Sequence, residues 1–215
     1  REGLREELAA LHRQLRTTIL HVTHDQDDAR VLGRTLGVIR AGRILQFGPK
    51  DDVFDRPNGA FVARFVGTEN VFRGEAARED GGVRIALGCG SVLARSGLTG
   101  AVGLCVRPEL ISIVAQPPSA VLGASAGGTG ILPVGHRRDA CATNRIEGKV
   151  ATISDRGAIV RYDVATGREE FVVLQAKNAY LAAGIAVGQG VALSFDPAAA
   201  HVFRWEGGDG NEMGD

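Results

Sequence analysis

Past Asn70 the apolar segments of this chain are too short to be helices that bury a face. Val71–Ala76, Val83–Leu87, Ser91–Ala94, Ala101–Val106 and Leu110–Val114 each span four to six residues, with glycine-rich turns between most of them. A second set follows at Arg145–Ile153, Ala158–Tyr162, Glu169–Leu174 and Gly190–Phe195. Short runs at regular intervals hide their apolar side chains by pairing as strands around a shared interior, so this part is predicted to form a small all-β barrel.

Before Asn70 the periodicity is different. Leu4, Leu8, Leu11 and Leu15 recur among Arg5, Glu6, Glu7, Arg13 and Arg16, the spacing of an amphipathic helix. The apolar run from Thr18 ends abruptly in Thr23, His24 and Asp25. A buried strand with a histidine at its C-terminal tip is how an open α/β sheet presents a reactive group, because ligands sit outside the carboxyl ends of such strands. Gln26 to Gly33 is predicted as a short helix, and Leu36–Arg40 and Arg43–Phe47 as strands around a tight turn at Ala41 and Gly42. A helix between Pro49 and Pro57 follows, then a second over Gly59 to Gly67 with Phe61, Val62 and Phe65 on one face.

Composition excludes several classes. A chain of 215 residues suits one or two domains, and 44% hydrophobic residues suffice for real cores. Zero formal charge gives no electrostatic reason to expect nucleic acid as a partner. Cys89, Cys105 and Cys141 are widely spaced with no C-x-x-C pair, which argues against a disulfide framework or zinc site and fits a reducing compartment. No signal peptide is apparent, and no run approaches the roughly 20 apolar residues of a membrane span.

The order of elements carries a family resemblance. A helix, a histidine-tipped strand, a helix, a hairpin ending in Gly42-Arg43-Ile44, a helix with Val53-Phe54 between prolines, then Phe61-Val62-Ala63, Phe65-Val66-Gly67 and Glu69-Asn70 resemble the later part of ATP-binding-cassette (ABC) import ATPases, over residues 1 to about 73. Val106-Arg107-Pro108-Glu109 and a repeated N-x-x-x-G, Asn70 to Gly74 and Asn144 to Gly148, resemble the accessory TOBE domain of importers for molybdate, sulfate, polyamines and sugars. The resemblance implies an α/β remnant of an ABC ATPase domain followed by a small all-β, OB-like barrel. The implied division is 1–67 for the ATPase part, 68–114 and 144–205 for the two barrel halves, 115–143 for a disordered insert and 206–215 for a frayed tail.

Within that resemblance His24 is the catalytic and γ-phosphate-contacting residue, orienting the attacking water or the phosphoryl group. ATP and Mg2+ are implied for the complete subunit and none for this chain alone, because the phosphate-binding Walker A loop is missing. The only Gly-Lys pair is Gly148-Lys149, followed by Val150, and no apolar run ends in Asp-Glu as Walker B requires. Ser125 to Thr129 comes after the histidine, the wrong order for the signature loop, and reads as linker. The chain is thus expected to begin after the catalytic core. Implied partners are a second ATPase subunit, the membrane permease and, indirectly, a substrate-binding protein, at the inner face of the cell membrane. The two-part barrel and the Asp196–Phe203 segment lean toward molybdate or tungstate. The alternative is a stand-alone anion-binding or regulatory barrel with a vestigial ATPase remnant, for which Thr152, Ser154 and Lys177 are the available groups.

Other residues have plainer readings. Strand alternation sends His21 and His24 to opposite faces, which argues against a metal pair. Asp25 and Asp27 are placed to cap the following helix, and Asp28-Ala29 stands where the family has Glu-Ala. Arg107 and Glu109 read as a surface ion pair, His136, Arg137 and Arg138 as part of the insert, and Trp205 as the last residue before a glycine-rich tail. Without the rest of a parallel sheet, Ile19, Leu20 and Val22 lose the cover such strands need. Residues 1 to 67 are therefore expected to be the less stable half, or to pair with another chain. Limited proteolysis should leave a fragment beginning near residue 68; uniform resistance across residues 1 to 67 would count against this.

Overall fold

The computed structural model describes residues 3, 7–8, 10–11, 14, 17–115 and 143–205. Cys141, the tail after Trp205 and the insert, apart from Ala115 and Thr143, lie outside these residues, and with the insert His136, Arg137 and Arg138. Leu4 and Leu15 also fall outside, while Gly3, Glu7, Leu8, Ala10, Leu11 and Gln14 are helical.

The histidine-bearing segment corrects the sequence reading. Residues 17–23 form no strand, and Leu20 and Val22 are 90% and 89% exposed. A strand exists only where neighbours take up its backbone N–H and C=O groups. No parallel sheet is present among the described residues to do so. The expected α/β layer is instead a lobe of three short helices and a hairpin: α1 (Gln26–Leu32), β1 (Thr35–Arg40), β2 (Arg43–Pro49), α2 (Lys50–Asp55) and α3 (Ala60–Phe65). The hairpin turns through Ala41 at φ 48° and Gly42 at φ 74°, the pair of positive φ values whose twist matches two antiparallel strands. Val38, Val53, Phe54, Val62 and Val66 form the lobe's core. Phe65 does not join it: it is 42% exposed and stacks on Phe61 at 5.8 Å, because Val62 and Ala63 occupy the buried face of α3.

The remaining described residues are chiefly β, as the short apolar runs predict. The strands are β3 (Asn70–Glu79), β4 (Gly82–Leu87), β5 (Gly90–Ala94), β6 (Gly100–Val106), β7 (Ser112–Ala115), β8 (Asn144–Asp155), β9 (Ile159–Thr166), β10 (Glu169–Ala176), β11 (Gly190–Phe195) and β12 (Ala200–Arg204), with α4 (Lys177–Ala183) before β11. They form two five-stranded sheets rather than one closed barrel, in the orders β12-β6-β3-β4-β5 and β10-β9-β8-β11-β7. Both sheets contribute to one core that includes Ile85, Leu104, Tyr162, Phe171 and Leu193. Phe72 meets Phe171 across it at 4.4 Å between ring centroids.

The two halves are copies of one plan. β3 pairs with β6 over its first part and with β4 over its second; β8 does the same with β11 and β9. Each plan ends in a 3-10 turn that opens on a proline, Pro108 or Pro197, and leads to a last strand. That last strand crosses over: β7 pairs with β11 of the second half and β12 with β6 of the first. The halves therefore exchange strands, which the linear division into 68–114 and 144–205 does not convey.

The repeated N-x-x-x-G has a physical reason at each end. Asn70, fully buried, accepts from Val172 N–H at 2.7 Å and donates to Val172 C=O at 2.8 Å. Asn144 makes the same pair with Leu93, at 2.6 and 2.8 Å. Each side-chain amide thus imitates a neighbouring peptide and pairs the third strand of the opposite half, β10 or β5, which is the edge of its sheet. The glycines mark the bend where the strand changes partner. A Cβ on Gly74 would lie 2.6 Å from Ala86 O, and one on Gly148 2.9 Å from Ala165 O, so only glycine lets the second strand approach. Asn70→Ala strands a buried N–H and C=O at once and should cost about 3 kcal/mol in urea unfolding. Asn58→Ala, at an exposed amide bonded to Leu45 O, should cost less than about 1 kcal/mol.

Candidate functional site

His24 sits on an exposed bend held by its neighbours. Thr23 Oγ1 accepts from Asp25 N–H at 2.9 Å, and Asp25 Oδ1 accepts from Asp27 and Asp28 N–H at 2.9 and 3.2 Å. Asp25 is thus the N-cap of α1, as predicted, while Asp27 and Asp28 lie in its first turn and complement the helix dipole. This local turn fixes where the imidazole leaves the chain and keeps it open to solvent. His21 is also exposed, but with no strand over residues 17–23 the opposite-face argument does not apply.

Gly148-Lys149 lies in β8, paired on both sides, and is no phosphate loop. The groups considered for anions in the second half are engaged elsewhere: Thr152 with Asp163, and Lys177 with Asp155 at 2.7 Å. Ser154 lies exposed on β8.

A second arrangement, spread over residues far apart in sequence, lies where the lobe meets the sheets. Ala63 of α3 packs with Val71, Cys105 and Phe203, and Trp205 rests against this cluster. Burial pushes the Cys105 thiol up to about 12, so it behaves as an apolar filler rather than a nucleophile. Arg107 donates to Phe54 O at 3.1 Å and pairs with Asp55, with Glu109 more distant at 3.8 Å. The expected Arg107–Glu109 surface pair is therefore the minor contact, and Arg107 chiefly ties the sheet to α2. The His201 ring meets Pro57 O at 2.9 Å, which requires the proton on Nε2.

Beside these ties opens a cleft of about 710 Å3, lined among others by Arg56, Arg95, Ser96, Arg107 and His201. Sequence reasoning missed Arg56, Arg95 and His201, because nothing local marks them. One signal was available for Arg107. It and Asp196 hold the same place in the repeat, each preceding the proline of a 3-10 turn. Asp196 caps its own turn by accepting from Ala198 N–H at 2.7 Å; arginine has no acceptor and reaches across to α2 instead.

Burial lowers the His201 pKa; the Pro57 carbonyl opposes this and nearby Arg56 adds to it. A histidine harder to protonate when folded than when unfolded lets the unfolded chain bind more protons as pH falls below the usual histidine range. Its share of stability is whole above that range and is lost as pH falls through it toward the lowered folded value. Asp55, Arg56, Arg95 and Arg107 line the same cleft. The urea midpoint should fall between pH 7.5 and pH 5 less steeply for His201→Gln than for wild type, by roughly the protons one histidine binds; identical slopes would refute this account.

Sequence comparisons now bear on the whole chain. The TOBE domain profile matches residues 104–203, from β6 into β12. The molybdate/tungstate import ATP-binding protein WtpC of Pyrococcus abyssi is 30% identical over 200 residues, covering 92% of this chain and 50% of that protein. The spermidine/putrescine import ATP-binding protein PotA of Thermobifida fusca is 31% identical over 212 residues, covering 94% and 49%. The chain thus spans about half the length of these relatives, and a third or less of some others. A structure of the cytoplasmic molybdate-binding protein ModG with molybdate bound has a TM-score of 0.49 at 17% identity, covering 64% of this chain and 97% of that one, a likeness too slight to fix the fold.

Proposed function

Since the chain is related to the C-terminal, TOBE-containing portion of ABC importer ATP-binding subunits, we propose that it is that portion of the ATP-hydrolysing subunit of an importer for molybdate, tungstate or a related small solute. The observation that carries this reading is collinearity: one continuous match covering 92% of the chain takes in both the His24 segment and the β sheets. Neither part alone would distinguish an importer subunit from a free-standing barrel.

The residues present do not make a site for ATP and Mg2+ by themselves. Among the described residues the one Gly-Lys pair is locked in a strand, and Asp25 is spent on capping α1. No hydrolytic step is therefore assigned to this chain alone. Its contribution is His24, held on an open bend beside the N-terminus of α1, where an imidazole can contact and orient a phosphoryl group offered by other parts of the ATPase. Ile19, Leu20 and Val22, exposed here, lie in the segment that those parts would recruit as a strand of their sheet. No helix among the described residues is long and apolar enough to cross a membrane. Attachment to the inner membrane face, in this reading, runs through the permease subunits, with a second ATPase subunit as dimer partner.

ATP binding and turnover by the isolated chain test this, with His24→Ala as control. Neither should be detectable alone. Mixing with a separately made ATPase half that bears Walker A and Walker B should restore turnover, and His24→Ala should reduce it by at least about a hundredfold. Turnover by the isolated chain that His24→Ala abolishes would overturn the proposal.

A further inference from the structure

We propose that Gln26 is a positioning residue for His24: its side chain latches the histidine bend to the segment that leads from α3 into the β sheets, so that the anchoring of that segment sets where the imidazole stands.

The turn from Thr23 to Asp28 fixes the shape of the bend but not its place on the molecule. Before His24, residues 17–23 form no strand that could hold it through a ladder. After it, α1 has seven residues and none of them is buried. Its contribution to the lobe's core is the partly buried Ala29. Toward the C-terminal end of α1, Lys50 Nζ donates to Arg30 O at 2.7 Å and the Arg30 guanidinium lies over the Phe54 ring. At the end nearer His24, Gln26 reaches across 39 positions of sequence and donates from Nε2 to Phe65 O at 2.6 Å.

The acceptor is the end of a helix, where carbonyls lack the N–H of a following turn. Val62 O, Ala63 O and Arg64 O are taken by the N–H groups of Val66, Thr68 and Gly67, and Phe65 O receives Gln26. Gly67 makes room for this contact. It stands at φ 90°, and a Cβ there would lie 2.7 Å from Gln26 Oε1. Glycine thus serves both the backbone and the amide beside it. The same segment is anchored to the sheets within three residues: Thr68 is buried, Glu69 pairs with Arg161 of β9, and Asn70 pairs with Val172 of β10. A shift at either end of this short span is felt at the other, because coupling between two sites is reciprocal.

The latch itself needs only this geometry; its consequence for phosphoryl transfer rests on the importer reading. The test follows the imidazole signals of the five histidines of the full chain by NMR, with His24→Ala identifying the signal of interest. Gln26→Glu keeps the size of the side chain and removes the donor, and should shift the His24 signal. It should also speed amide exchange at Gly67 and Thr68 by about fivefold, although neither amide bonds to Gln26. Gly67→Ala should shift the His24 signal as well, but not when Gln26 is already alanine; backbone strain is the same in both backgrounds, so the difference isolates the contact. Arg84→Gln, which breaks an exposed pair with Glu79, should change neither readout. In turnover with the separately made ATPase half, Gln26→Glu should lower kcat severalfold and leave KM for ATP unchanged. An unmoved His24 signal in Gln26→Glu, unchanged exchange at Gly67 and Thr68, equal effects of Gly67→Ala in both backgrounds, or a raised KM at unchanged kcat would each overturn the proposal. Absence of turnover with wild type would instead sink the importer reading, while the NMR and exchange results still decide the latch.

Discussion

Two asparagines hold the β region together, and each works on the half to which it does not belong. Asn70 opens the first repeat and pairs the backbone of Val172 in the second; Asn144 opens the second and pairs Leu93 in the first. A buried primary amide has two donors and an acceptor to satisfy, and the N–H and C=O of one residue on an edge strand take up one of each. The arrangement is reciprocal, so neither half can satisfy its own asparagine without the other in place. Exchange of β7 and β12 adds the same dependence at the level of whole strands. The two sheets are thereby expected to fold as one cooperative unit, whatever their separation along the chain.

Much of this was legible in the sequence because it is local. Short apolar runs gave strands, Ala41-Gly42 gave a hairpin turn, and Asp25 gave an N-cap, each decided by a few adjacent residues. The repeated Asn-x-x-x-Gly was visible as a pattern, though its meaning was not: the glycine is needed by a strand arriving from elsewhere, and the asparagine by an edge in the other half. Strand exchange left no local trace. The segment before His24 failed in the opposite way. Its apolar run has every local mark of a buried strand, but a strand is a relation between neighbours, and among the described residues none is there to pair with it. Phe65 was misplaced because helical spacing cannot say which of two adjacent faces a short helix buries when it bridges two cores.

The His24 bend and the cleft between lobe and sheets differ in the same respect. His24 is positioned by a local turn of six residues, Thr23 to Asp28, and was singled out by the resemblance of its surroundings to ABC import ATPases. Arg95, Arg107 and His201 come together through one sheet, and Arg56 joins them only through the docking of the lobe.

Strand exchange also settles how much sequence the fold can absorb between its repeats. Because β7 has crossed over, it and β8 flank the same strand, β11, with Ala115 opposite Val191 and Asn144 opposite Phe195. The gap from the end of β7 to the start of β8 is two strand spacings across and about four residues along, roughly 16 Å. A handful of extended residues would close it. Residues 116–143 supply far more, and lengthening a loop between fixed ends costs only logarithmically. This joint is where the gene can lengthen or shorten without disturbing either sheet, an evolutionary seam set by topology.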